Sequence, residues 1–224
     1  MSEAAARVGR SPTSVRLVAA TKSVPVEHIR AAVRAGVRIA GENRLQEAIA
    51  KMDRLASTDT VGWHFIGRLQ RRKVKDVVGR FQLIHSVDGL ELAREIDRRA
   101  GEAGIRQPVL LEVNIGDEGT KAGFPPSGVV EAARALDELA HLNVQGLMTI
   151  PPPSEDPECT RKYFRQVRGL AQAIEEKKFR RIRMDELSMG MSQDFEIAIE
   201  EGATLVRIGT ALFGPRANMT AGMA

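Results

Sequence analysis

VRLVAATKSVP, Val15–Pro25, is the stretch from which the fold is read. The apolar run Leu17–Ala20 has the composition of a buried strand. It stops at Thr21 and Lys22, and Pro25 follows where a proline suits the opening of a helix. A strand that passes through a short polar joint into a helix is the first half of a parallel crossover unit. Lys22 lies in that joint. Taken alone, it is the solvated end of a strand or an amine placed for chemistry.

Working outward, the same unit recurs along the chain. Val26–Ala35 carries Ile29, Ala32 and Val33 on one helical face. Further strands are expected at Val37–Ala40, Trp63–Ile66, Leu83–Val87, Val109–Val113, Val144–Leu147, Glu186–Met189 and Leu205–Ile208. Amphipathic stretches separate them, the longest spanning about Glu158–Glu176. About eight strands alternating with helices demand parallel pairing, and right-handed crossovers in that number close into a single (β/α)8 TIM-type barrel. An open doubly wound sheet is the second reading. No Pro/Gly/Ser-rich linker divides residues 1–224, so one domain is expected.

Composition narrows the function. No apolar run reaches the roughly 20 residues of a membrane span, and Met1–Arg10 lacks a secretory apolar region. Cys159 is the only cysteine, so no internal disulfide forms and a cytoplasmic protein is expected. The net charge is +4, concentrated in Arg68–Lys75 and Lys177–Arg183. Aromatics are only 4% of the chain, and none is interleaved through the first cluster. Solvated helix faces are therefore expected, with no nucleic-acid partner and no membrane.

Barrel chemistry is built at strand C-termini, so the residues that follow each strand are the candidates. LSMGMS (Leu187–Ser192) and VRIGTALFG (Val206–Gly214) each place a glycine and a hydroxyl just past a strand. Ser192, Gly209 and Thr210 suit an anion such as phosphate; the plain alternative is a helix cap at Ser192 and a turn at Gly209. Asp194 stands against the anion reading unless it points away. Arg207 interrupts an apolar strand, and its charge needs an acceptor: a ligand, or a carboxylate such as Glu112 or Glu186. Asn43 with Gln46, and Asp88 with Glu91, have the spacing of helix N-caps with an N3 partner. His64 and His85 read as satisfied core histidines. Lys121, in the long joint Asn114–Pro126, reads as a loop lysine or a second functional amine. No spacing suggests a metal.

In this order, VAATKSVP, GENRLQE, WHFIGRLQ, HSVD, VNIGDEGTKAG, GLMTIPP, LSMGMSQDFEIAI and VRIGTALFG resemble the pyridoxal phosphate homeostasis protein family, from about Val15 to Gly214. The resemblance implies a barrel like the N-terminal domain of alanine racemase, with pyridoxal 5′-phosphate as cofactor. It implies that Lys22 holds the cofactor as a Schiff base and that Ser192, Gly209 and Thr210 take the phosphate, with Ser188 and Gly190 nearby. Arg207 would face the pyridine nitrogen, and Asn43 would lie against the ring. A permanent cation at that nitrogen weakens the ring as an electron sink. Two departures stand out: a shorter segment precedes the first strand, and Arg72 replaces the asparagine usual before Lys73.

Racemisation needs acid/base groups on both faces of the substrate α-carbon. The sequence ends at Ala224, and its only tyrosine, Tyr163, falls in a helix between strands six and seven. The expectation is a non-catalytic, monomeric carrier that supplies or buffers pyridoxal phosphate, with PLP-dependent apo-enzymes as partners. The alternative is a racemase-like enzyme of low activity.

Overall fold

The computed structural model describes residues 1–55, 61–116 and 122–215. Its eight strands are β1 (Arg16–Ala20), β2 (Ile39–Glu42), β3 (Gly62–Phe65), β4 (Leu83–Val87), β5 (Gln107–Val113), β6 (Leu142–Thr149), β7 (Ile182–Ser188) and β8 (Leu205–Ile208). All neighbours are parallel, and β8 returns to pair with β1 through Leu17↔Val206 and Val18↔Arg207. The sheet is a closed barrel in sequence order, which rules out the open doubly wound alternative.

The helices are α1 (Ser2–Arg7), α2 (Val26–Arg34), α3 (Leu45–Leu55), α4 (Val74–Val77), α5 (Leu90–Glu102), α6 (Val129–Leu136), α7 (Arg161–Glu175), α8 (Phe195–Glu200) and α9 (Thr210–Phe213). Each longer helix buries one apolar stripe: Leu92, Ala93, Ile96 and Ala100 in α5, and Phe164, Val167, Ala171 and Ile174 in α7. These stripes and the outward-facing strand residues form the main core. Inside the barrel, Val18, Leu83, Leu110, Met148 and Leu205 form a separate apolar plug. Side chains alternate along a strand, so residues two steps further on, Arg207 and Glu112 among them, face the same interior one layer higher.

β4 and β8 fall where the apolar runs place them. β2 begins two residues later than expected, because Val37 serves α2 instead. Gly36 takes φ +108°, its N–H reaches the Val33 carbonyl, and the Val37 N–H reaches Ala32. That is a Schellman closure, in which the residue after the glycine satisfies a helix carbonyl before the chain can enter the sheet. The same pair of bonds closes α5 and α8.

Both expected N-caps are corrected. α3 starts at Leu45, and the Asn43 Oδ1 is buried with no hydrogen-bond partner, so it caps nothing. At α5 the N-cap position belongs to Gly89, with no side-chain cap, and Asp88 lies 3.8 Å from Arg68 instead. Among the described residues, no helix is long and apolar enough to cross a membrane.

Candidate functional site

A cavity of about 670 Å³ opens over the C-terminal ends of β1, β8 and β7. Lys22, Ser192, Arg207, Gly209 and Thr210 all line it. Asn43 does not; it sits at the end of β2, packed against Gly67. Apolar walls come from Ile66, Ile150, Met191 and the proline run Pro151–Pro153. Nothing in the composition of that run marks it as a wall. Lys121 lies outside the described residues.

Ser192 accepts the Ala211 N–H at 3.2 Å, which ties the joint after β7 to the one after β8. Asp194 also lines the cavity, but its Oδ1 accepts the Met191 N–H at 2.7 Å and so closes its own turn. Burial pushes this carboxyl above the usual range. An added Cβ at Gly209 would meet Ala20 at 3.4 Å, an ordinary van der Waals contact.

Arg207 is buried, and its hydrogen bonds go to neutral oxygens. Nη1 donates to the Ser188 carbonyl at 2.7 Å and the Ser188 hydroxyl at 2.6 Å, and Nη2 donates to the Thr149 carbonyl at 2.8 Å. Of the alternatives, the pairing with Glu186 is not made: that carboxylate binds Arg16 instead. Burial pulls the Arg207 pKa down to about 10, against the opposing pull of Asp194 and Glu112, and the guanidinium stays charged at neutral pH.

The histidines are satisfied core residues, as expected, yet they belong to the same network. Ser188 Oγ lies 2.8 Å from His85 Nδ1, and His85 Nε2 lies 2.9 Å from His64 Nδ1. A guanidinium only donates, so the Ser188 hydroxyl proton is free to point at His85 Nδ1, and His85 Nε2–H then serves His64. Burial holds His64 at about 4 and His85 well below its ordinary range, so both rings are neutral. A row of neutral groups thus orients the buried Arg207 guanidinium. Among the described residues, no cluster could hold a metal.

Beside the cavity, the Lys22 joint is fastened to α3. Lys51 Nζ donates to the Thr21 carbonyl at 2.6 Å, Glu42 Oε1 at 2.7 Å and Glu47 Oε1 at 2.6 Å. Glu47 Oε1 also accepts the Ser23 N–H at 2.5 Å. Burial raises the Glu42 pKa, offset in part by Lys51 and Thr21. At Glu47 burial also pushes upward, but Lys51 and the Ser23 N–H outweigh it and leave the net shift downward. Lys51 escaped the sequence reading, although a signal existed: it lies three residues after Ala48 and four before Leu55, on the buried side of the helix.

Glu112 is the other perturbed group. Burial raises it from 4.5 to about 7, and Asp88 adds to the rise while Arg207 and Arg68 oppose it. A carboxyl whose folded pKa exceeds its unfolded one contributes stability below about pH 4.5, and this is lost as pH rises through about 7. The loss is about 3 kcal/mol. Urea unfolding of Glu112→Gln alongside the parent at pH 5 and pH 7.5 measures it. The parent is expected to lose stability relative to the variant at the higher pH.

The family profile described as "Alanine racemase, N-terminal domain" matches residues 4–217. A pyridoxal phosphate homeostasis protein from Aquifex aeolicus is 48% identical over 214 residues, which are 96% of this chain and 92% of that protein. The structure of PipY from Synechococcus elongatus, described as having PLP bound, superposes with a TM-score of 0.83 at 39% identity, covering 95% of this chain and 98% of PipY. An alanine racemase from Clostridium difficile shares the fold at 18% identity, with a TM-score of 0.70, and this chain covers 53% of it.

Proposed function

This chain belongs to the pyridoxal phosphate homeostasis protein family, and from that premise we propose that it binds pyridoxal 5′-phosphate through Lys22, and supplies or buffers it without strong turnover. The observation that carries this reading is the donor set of one cavity: an amine, two hydroxyls, a glycine joint and a buried guanidinium. Its volume lies in the range of small-molecule sites. The cofactor supplies an aldehyde to condense with an amine and a phosphate that needs hydrogen-bond donors. The residues present fit both requirements.

Lys22 would hold the cofactor through its amine, the chemistry supplied there being condensation of an aldehyde with that amine and loss of one water. Ser192 and Thr210 contribute hydroxyls to the phosphate, and Gly209 gives it close access to the backbone. Arg207, held by Ser188 and Thr149, would be the group at the pyridine nitrogen; as a permanent donor it would disfavour protonation there. Asn43 has a buried carbonyl oxygen without a partner, and a place against the ring is proposed for it on the resemblance.

The carrier reading is preferred to a racemase because, among the described residues lining the cavity, the titratable groups are Lys22, Asp194 and Arg207. Asp194 is already engaged with Met191. A monomer in the cytoplasm that passes its cofactor to apo-enzymes completes the proposal.

Two measurements test it. Titration with pyridoxal 5′-phosphate is expected to raise a Schiff-base absorbance band that saturates at one equivalent. Loss of the α-proton of alanine into heavy water is expected to run no faster with the loaded protein than with free cofactor. Exchange well above that level would favour the racemase-like alternative.

A further inference from the structure

We propose that the buried Glu42–Lys51–Glu47 cluster is the positioning device for Lys22, holding the joint that carries it in the conformation needed for bond formation. The inference rests on the function proposed above and names residues that the cavity itself does not contain.

The joint is unusual at Ser23, whose φ of +61° is left-handed, a region costly for a residue with a Cβ. Something must hold it there. The Ser23 N–H is bound by Glu47 Oε1, and the Thr21 carbonyl is bound by Lys51 Nζ. Lys22 lies between these two bonds, so the backbone on both of its sides is attached to α3. Glu42, at the end of β2, completes the cluster by accepting from both Lys51 and the Thr21 hydroxyl, the latter at 2.7 Å.

The choice of residues supports positioning over simple stabilisation. Lys51 and Glu42 have side-chain exposures of 8% and 0%. Dry ion pairs rarely stabilise more than apolar residues of the same size would, and their best-attested use is to impose one geometry. Here the three ammonium protons meet three oxygens, one of them the carbonyl immediately before Lys22. Condensation needs the Lys22 amine at the aldehyde carbon while the phosphate is gripped across the cavity. A misplacement of about 1 Å in such an arrangement costs on the order of a hundredfold in rate.

Lys51→Met strands the Glu42 carboxylate and endangers the fold, so the decisive variant is Glu47→Ala. The Glu47 side chain is 24% exposed, and its removal leaves the Lys51–Glu42 pair in place while releasing the Ser23 N–H. Two readouts are taken on the full chain: the rate at which the Schiff-base band grows with pyridoxal 5′-phosphate, and the affinity for pyridoxamine 5′-phosphate. The second ligand keeps the ring and phosphate but has no aldehyde for Lys22.

Glu47→Ala is expected to slow band formation about tenfold or more and to leave pyridoxamine phosphate affinity within about twofold. Adding Ser23→Gly, which tolerates the left-handed conformation, is expected to recover at least about threefold of the lost rate. An unchanged rate in Glu47→Ala overturns the proposal, as does an equal fall in both readouts or an absence of recovery. If the parent protein forms no band, the functional reading itself fails, and that result is distinct from all of these.

Discussion

Replacing Lys22 by alanine is expected to abolish the Schiff-base band while leaving the barrel folded. The side chain lies in the joint after β1, lines the cavity and is only part-buried, so its removal takes little from the core. The covalent link has no substitute among the described groups lining the cavity, because the other cation there, Arg207, cannot act as an amine nucleophile. Non-covalent binding through Ser192, Gly209 and Thr210 should persist, so the variant should retain pyridoxamine phosphate within about twofold of the parent, a difference well under 1.4 kcal/mol. Absorbance spectra and ligand titrations of the two proteins measure this. A band of parental intensity in Lys22→Ala would show that another amine carries the bond.

The second large effect is expected at Arg207. In Arg207→Leu the Ser188 carbonyl, the Ser188 hydroxyl and the Thr149 carbonyl all lose their donor inside the barrel. Each orphaned buried acceptor costs about 1–3 kcal/mol, and removal of a desolvated charge returns part of that sum. A net loss of about 2–3 kcal/mol is expected. For a chain of this size that lowers the melting temperature by about 5–10 °C. The variant is also expected to lose affinity for pyridoxamine phosphate by at least about tenfold, since the donor proposed for the pyridine nitrogen is gone. Calorimetry and titration separate the two losses. A variant as stable as the parent would mean that the row His64–His85–Ser188 holds its order without the guanidinium.

The barrel was legible because short apolar runs alternate with amphipathic stretches, and β4 and β8 needed no adjustment, whereas β7, with its largely polar Arg183–Glu186, begins four residues earlier than expected. The shift of β2 was not legible, since Val37 looks like any strand valine until Gly36 commits it to closing α2. Helix caps failed for a related reason. Asn43 and Asp88 have cap spacing, but strand ends and joints at this face place them one or two residues too early to serve the helix.

Position after a strand was enough to select Lys22, Ser192, Gly209 and Thr210, and a charge inside an apolar strand to select Arg207, and all five line one cavity. Position could not place Asn43, which lies at the right strand end yet outside the cavity lining. Groups that act through others were harder to see. Arg207 suggested a ligand or a carboxylate partner, whereas backbone carbonyls and a serine hydroxyl hold its guanidinium. The His64–His85–Ser188 row runs from the neighbouring strands β3 and β4 across the barrel to β7. Such contacts depend on barrel closure, which no local pattern encodes.

The central claim is that one amine, Lys22, carries the cofactor. Borohydride reduction of the protein loaded with pyridoxal 5′-phosphate, followed by proteolysis and peptide mass mapping, tests it most directly. One reduced adduct is expected, on the peptide containing Lys22 and at near-stoichiometric yield. A label spread over other lysines, or no label at all, would contradict it.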